Sequence, residues 1–123
     1  MKPFSSDALD ALVTFVAGDT WGGFTSVTVG ATRNSPGDLA SVKMAFKLNP
    51  KAVSPTLELT SAGGDITISD AVNWVFSVDP ARLALLPGSY VWQIETEDDS
   101  ATPYVETILA GNCEVLSNYT STT

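Results

Sequence analysis

The sequence predicts an all-β domain, an antiparallel β-sandwich of about seven to nine short strands. Three observations lead to this prediction. The chain is rich in Val, Thr and Ser and has few Lys, Arg and Glu. Apolar and polar residues alternate in several short segments, and Gly, Pro and Asp turn signals separate these segments. The 123 residues suit one domain, since a typical domain has about 100–200 residues.

The first half of the chain contains three alternating segments. A helical turn capped by Ser6 or Asp7 is expected within residues 5–12, and "LVTFVAG" then becomes a strand. In "FTSVTVGA", Val27 and Val29 share one face. The segment "LASVKMAFKLN" is predicted to point four side chains into the core: Val42, Met44, Phe46 and Leu48.

The middle of the chain predicts strands joined by one short helix. "TLELTS" and "ITIS" are short strands around a Gly-Gly turn, and "VNWVFSVD" is predicted to point Val72, Trp74, Phe76 and Val78 to one face. Asp79 and Pro80 are favourable at the start of a helix, so a helical crossover is expected near residues 80–86. Leu83 and Leu86 are expected to cover the end of the core.

Two longer strands are predicted to close the domain. In "SYVWQIETED", Tyr90, Trp92 and Ile94 share one face, and "EDDSATP" forms a solvated hairpin loop. In "YVETILAGNCEVL", Gly111 is expected to mark a bulge or bend. We therefore divide the chain into an N-terminal arm (1–10), a β-sandwich domain (11–116) and a flexible C-terminal tail (117–123).

Composition argues against several classes of function. The net charge is −8, and the few basic residues are dispersed, so nucleic acid and anionic membranes are not expected partners. The chain has no His, and its single Cys113 is expected to be a small buried hydrophobe. A zinc site, a serine triad and a P-loop all lack their residues, so we expect no catalytic residues, cofactor or metal. Calcium at Glu95, Glu97, Asp98 and Asp99 is a weaker alternative.

No apolar run is long enough to span a bilayer, and the N-terminus is a poor secretory signal. These features predict a protein made in a cytoplasm and kept or assembled there.

The order of the segments resembles small structural domains of tailed-bacteriophage virions. "VTFVAGDTWGGF", "VKMAFKL", "GGDITISDAVNWVFSVDPARLALLPGSYVWQIETED" and "VETILAGNCEVL" resemble the N-terminal immunoglobulin-like domain of phage baseplate upper proteins. The pattern falls on framework positions: Gly63, Gly64, Ile66, Ile68, Leu86, Gly88, Tyr90, Trp92, Leu109, Gly111 and Val115. The resemblance implies an immunoglobulin-like sandwich.

The resemblance also implies a function through docking. It predicts a structural or adaptor component of a virion tail, baseplate, neck or capsid surface, which binds other virion proteins and copies of itself. The candidate partner-binding residues are Lys2, Pro3, Phe4, Trp21, Phe24, Tyr104 and Tyr119, although Trp21 and Phe24 also suit the end of the core. The alternative is a free-standing carbohydrate- or peptide-binding sandwich, which requires an exposed aromatic platform from Trp21, Tyr104 and Tyr119.

Overall fold

A computed structural model describes residues 13–29, 33–49 and 51–117. Within these ranges the chain is all-β, with ten strands and no helix. The all-β prediction is therefore confirmed. The strands are β1 (Val13–Val16), β2 (Thr20–Trp21), β3 (Phe24–Thr28), β4 (Leu39–Lys47), β5 (Leu57–Thr60), β6 (Ile66–Asp70), β7 (Val75–Val78), β8 (Ala81–Arg82), β9 (Gly88–Asp98) and β10 (Val105–Leu116).

The larger sheet has five strands in the order β1-β10-β9-β4-β5. Its centre is antiparallel, and Met44 of β4 lies opposite Ile94 of β9. The first strand is the exception, since β1 runs parallel to β10 with Val13 beside Cys113. The beginning and the end of the described chain are therefore joined along one sheet edge.

The remaining strands form a three-stranded sheet, β3-β7-β6, and a two-stranded pair, β2-β8. Strand β2 directly precedes β3, and β8 directly follows β7, so the pair continues the line of β3 and β7. Gly23, which has a positive φ, lies between β2 and β3, and Asp79–Pro80 lie between β7 and β8.

One hydrophobic cluster joins side chains from these sheets. It is built by the period-two alternation of β4 and β9, whose inward residues are buried on both strands. The largest fully buried side chains include Trp74, Trp92, Phe46 and Phe76. Trp21 meets Phe46 edge-to-face with ring centroids 6.3 Å apart, a preferred aromatic geometry.

Cys113 lies in this core, as the sequence predicted. Its side chain is 1% exposed, and burial raises the pKa of the thiol to about 11. Burial disfavours the charged thiolate, which is the reactive form. The residue therefore behaves as a small apolar side chain at neutral pH.

The predicted helix near residues 80–86 is absent. Ala81 and Arg82 form β8 instead, where Ala81 pairs with Trp21. The segment between Pro80 and Pro87 is too short to offset the cost of starting a helix. Burial follows a period of two, so Leu83 and Leu85 enter the core. The predicted core position of Leu86 is wrong, since its side chain is 79% exposed.

Two further core predictions fail where a strand ends. Leu48 is exposed because β4 ends at Lys47 and the chain then bends. Val72 is exposed because it lies in the turn between β6 and β7. Alternation fixes a side chain's face only while the backbone stays extended.

Gly111 serves packing and does not mark a bulge. The irregularity in the β9–β10 ladder lies between Thr107 and Leu109. Gly111 lies directly opposite Trp92, and a Cβ on Gly111 would come within 2.9 Å of the indole. The missing side chain leaves the space that the indole of Trp92 occupies.

Candidate docking surface at the loop end

Three connections meet at one end of the sheets. They are the described part of the β3–β4 loop (33–38), the β6–β7 turn (71–74) and the β9–β10 loop (99–104). The amide of Leu39 donates to the carbonyl of Ala71 at 3.0 Å, and that of Asp99 donates to the carbonyl of Asp38 at 2.9 Å. We call these three segments, with Val105, the loop end.

Asp98 anchors two of these loops from inside. Its carboxylate accepts hydrogen bonds from the amides of Gly37, Ser100 and Tyr104, and from the hydroxyl of Ser100, at 2.8–3.2 Å. Burial alone would raise the pKa of Asp98, but these hydrogen bonds outweigh it and lower the pKa to about 2. The expectation that Asp98 is solvated is therefore wrong, since its side chain is 1% exposed.

Two more acidic residues hold the β3–β4 loop. The carboxylate of Glu106 accepts hydrogen bonds from the amide and side chain of Asn34 and from the hydroxyl of Ser35. Asp99 accepts a hydrogen bond from the amide of Asp38 at 2.9 Å. Both carboxylates are therefore hydrogen-bonded to the β3–β4 loop, and these bonds fix its position relative to the β9–β10 loop and the start of β10.

Trp74 fastens the β6–β7 turn to the same loop. Its indole Nε1 donates to the carbonyl of Gly37 at 3.0 Å, and the guanidinium of Arg33 lies 4.6 Å from the ring centroid. Its φ of 60° is uncommon for a bulky residue and costs conformational energy. The fully buried indole and its contacts hold the residue in this conformation. The loop end is thus preorganised.

The outer side of the loop end exposes apolar surface. Val72, Val105 and Tyr104 are 64%, 55% and 42% exposed. Aromatic and apolar side chains on a rigid base lose little conformational freedom when a partner binds. The arrangement suits protein contact.

The sequence-predicted partner residues are distributed unevenly. Tyr104 lies on the loop end. Trp21 is 8% exposed and Phe24 packs against the core, with their ring centroids 5.2 Å apart, so both lie where the core-end alternative placed them. Their burial leaves Tyr104 as the exposed aromatic side chain among the described residues. Lys2, Pro3, Phe4 and Tyr119 fall outside the described ranges.

Sequence reasoning misses Val72 and the anchoring role of Asp98. Alternation places Val72 on a strand face, and composition places Asp98 in a solvated hairpin tip. The composition gives one signal for the contact between the β3–β4 and β9–β10 loops: the segments "RNSPGD" and "EDDSATP" both combine loop residues with Asp and Ser. Such residues commonly bond to neighbouring backbone, but composition does not identify the partner.

A shallow cleft of about 210 Å³ lies beside the loop end. Its lining includes Lys43, Glu95, Glu97 and Val105. Lys43 Nζ lies 3.7 Å from carboxylate oxygens of both Glu58 and Glu95, on an exposed part of the sheet. Such exposed ion pairs contribute little to stability.

Neither a metal-ligand cluster nor a membrane-spanning helix occurs in the described ranges. No group of three His, Cys, Asp or Glu side chains is placed to hold a metal ion there. No helix in those same ranges is long and apolar enough to cross a membrane.

We expect stability to fall between about pH 4 and pH 2 as Asp98 becomes protonated. The native pKa is below the ordinary value, so the carboxylate stabilises the fold above about pH 4 and this contribution is lost as pH falls through the native pKa. A carboxyl ¹³C NMR titration would locate the transition of Asp98, and urea unfolding at each pH would follow the stability.

The control is Asp98→Asn, which keeps the shape but replaces one accepting oxygen by a donor. Because buried backbone amides then lose an acceptor, we expect the Tm to fall by about 5–10 °C at pH 6. The difference between the two proteins should shrink towards pH 2. The pKa of Asp70 is also lowered, by hydrogen bonds from Asn73, but Asp70 is present in both proteins, so its titration does not change the difference between them. A difference that stays constant from pH 6 to pH 2 would contradict the role of Asp98.

Comparisons with known proteins identify no relative. No protein-family model matches the sequence, and no curated protein or solved structure matches it either.

Proposed function

We propose that this chain is an immunoglobulin-like β-sandwich that acts as a docking module in a larger assembly. Two features support the fold. The strand order is that of such domains, with β10, β9, β4 and β5 in one sheet and β3, β7 and β6 in the other. In addition, the hydroxyl of Tyr90, near the start of β9, donates to the carbonyl of Leu86 at 2.7 Å, as in the tyrosine corner of these domains.

The preorganised loop end carries the functional proposal. Its buried or hydrogen-bonded carboxylates hold loops, while Val72, Tyr104 and Val105 face outwards. Interfaces concentrate their binding energy in a few aromatic and apolar side chains on rigid surfaces. Tyr104 is the central contact in this proposal.

The charge of the loop end adds specificity for a partner. Besides the buried Asp98, five acidic residues lie at or next to it (Asp38, Asp70, Glu97, Asp99 and Glu106), while Arg33 is the basic residue in its described part. Of the other described basic residues, Lys43 lies in the cleft beside the loop end, and Lys47, Lys51 and Arg82 lie towards the opposite end of the sheets. This uneven charge favours approach of a less acidic or basic protein surface.

The assembly that we propose is a tailed-phage virion. This proposal is supported by the resemblance of the segment order to phage immunoglobulin-like domains. The chain would then act as a structural or adaptor component in tail, baseplate, neck or capsid, bound to other virion proteins and to copies of itself. Its location would be the virion, after assembly in the host cytoplasm.

Quantitative mass spectrometry of purified particles tests the proposal. The chain should sediment with the particles at a constant ratio to the major capsid protein across a density gradient. In particles made with Tyr104→Ser, we expect its copy number to fall about tenfold at limiting expression, because a central aromatic contact is lost. Leu86→Ser, which changes an exposed side chain near the opposite end, is the matched control.

Two results would contradict the proposal in different ways. Absence of the chain from particles, with abundant free protein in the lysate, would rule out the virion role. Normal incorporation of Tyr104→Ser would rule out the loop end as the docking surface.

A further inference from the structure

The end of the molecule opposite the loop end also exposes apolar side chains. Leu48, which directly follows β4, is exposed, and Val53 in the β4–β5 loop is 96% exposed. Two basic residues accompany them: Lys47 is the last residue of β4, and Lys51 lies in the same loop. We call these four residues the basic corner.

Local hydrogen bonds order the basic corner. The side chain of Asn49 accepts a hydrogen bond from the amide of Lys51 at 3.0 Å, and its backbone carbonyl accepts one from the amide of Ala52 at 3.1 Å. The amide of Thr56 donates to the carbonyl of Phe46 at 2.7 Å, which closes the loop onto β4. Like the loop end, the corner therefore presents its side chains on a preorganised backbone, which reduces the entropy that binding costs.

The charges of the two ends are complementary. No Asp or Glu occurs between Leu39 and Leu57, so the corner combines two cations with apolar surface. The loop end combines the exposed side chains of Val72, Tyr104 and Val105 with the acidic residues at and next to it. Each end thus offers the other an opposite charge, which favours a specific approach, and apolar surface, which is buried in the contact.

We propose that the basic corner of one copy binds the loop end of a second copy, head to tail. The inference rests on the proposed docking role of the loop end and names one of its partners. β4 begins at the loop end and ends at the corner nine residues later, a distance of about 25–30 Å. The two surfaces therefore cannot meet within one copy. A second copy is favoured over an unrelated basic protein because it accounts for both surfaces.

This contact is heterologous, so every pair of copies keeps one loop end and one corner free. Further copies add at both ends, and the assembly is an open chain or a closed ring, depending on the rotation between neighbours. The net charge of −8 opposes association, but at about 0.1 M salt charges more than about 10 Å apart are largely screened. Local pairs of opposite charge then decide the contact.

Sedimentation equilibrium of the purified full-length chain tests the inference. The contact involves one end of each copy, and small interfaces are weak, so the experiment extends to about 1 mM protein. We expect the weight-average mass of the wild type to rise with concentration beyond twice the monomer mass of 12.9 kDa. A wild type that stays monomeric up to about 1 mM would overturn the proposal.

Two variants each remove one of the two surfaces. Tyr104→Ser changes the loop end, and the double variant Lys47→Glu with Lys51→Glu reverses the charge of the corner. Each should stay monomeric, while an unchanged Tm shows that its fold is intact. Leu86→Ser, which lies at the same end as the corner but outside it, should associate like the wild type.

A mixture of the two variants tests the head-to-tail arrangement. Tyr104→Ser keeps an intact corner and the double variant keeps an intact loop end, so equal amounts should form a one-to-one dimer that grows no further. If loop ends bound each other, the double variant would associate on its own. If corners bound each other, Tyr104→Ser would do so. Either result would overturn the proposal.

These outcomes are distinct from those of the particle experiment. If the wild type stays monomeric in solution while Tyr104→Ser is lost from particles, the head-to-tail contact is wrong and the loop end binds a different virion protein. If Tyr104→Ser is incorporated normally, the loop end itself is wrong as the docking surface.

Discussion

Replacement of Trp92 by alanine is expected to lower the free energy of unfolding by about 3–5 kcal/mol. The indole is 1% exposed, lies against Gly111 and has its ring centroid 5.4 Å from that of Phe24. Its Nε1 donates to the carbonyl of Asn112 at 3.0 Å. Truncation removes the apolar contacts, leaves a cavity at the centre of the sheet and breaks this hydrogen bond.

Urea unfolding followed by far-UV circular dichroism measures this loss. Leu86→Ala is the matched control, since Leu86 is 79% exposed and only its backbone carbonyl bonds to Tyr90. We expect the control to change stability by no more than about 0.5 kcal/mol. If Trp92→Ala cost less than about 1 kcal/mol, β9 would have to point its side chains the other way.

The faces of the long strands could be predicted from the sequence because they follow one local rule. In β9, Tyr90, Trp92 and Ile94 are buried as alternation predicts, and in β4 so are Val42, Met44 and Phe46. These strands have neighbours on both sides, so their side chains meet the core over the whole length. Period-two patterns are most informative where both the strand and its neighbours are long.

The segment after Asp79 could not be predicted in the same way. Its local signals favour a helix start, but its conformation depends on pairing between Ala81 and Trp21, which are far apart in sequence. Tertiary pairing overrides a weak local preference in so short a segment. The burial of Leu85 in place of Leu86 follows directly from this change of period.

The loop end shows a similar limit. Tyr104 is a candidate from the sequence because it is an aromatic residue beside a loop. The burial of Asp98 depends on Gly37, 61 residues earlier in the chain, whose amide donates to it. Sequence composition marks both segments as loops, but only the strand order of the five-stranded sheet brings their ends together.

Replacement of Gly23 by alanine is expected to cost about 2–5 kcal/mol, as the sum of two separate penalties. Gly23 has a φ of 75°, which disfavours any residue with a Cβ. The added Cβ would also collide with the backbone carbonyl of Val78, the residue that pairs with Phe24. Since a backbone carbonyl in a ladder cannot move like a flexible side chain, relief would require β3 to shift away from β7.

Two neighbouring glycines separate these penalties. Gly18 has a φ of 90° and open space where the methyl group of an alanine would lie, so Gly18→Ala should show the conformational cost alone, about 1–2 kcal/mol. Gly22 has open space and no positive φ, so Gly22→Ala should change stability by about 1 kcal/mol or less, and in the stabilising direction if the unfolded state dominates. Urea unfolding should therefore show the largest loss of unfolding free energy for Gly23→Ala, a smaller loss for Gly18→Ala and the smallest change for Gly22→Ala. Equal losses at Gly18 and Gly23 would mean that β3 and β7 are not held as closely as the Phe24–Val78 pairing requires, because the contact with the Val78 carbonyl would then cost nothing.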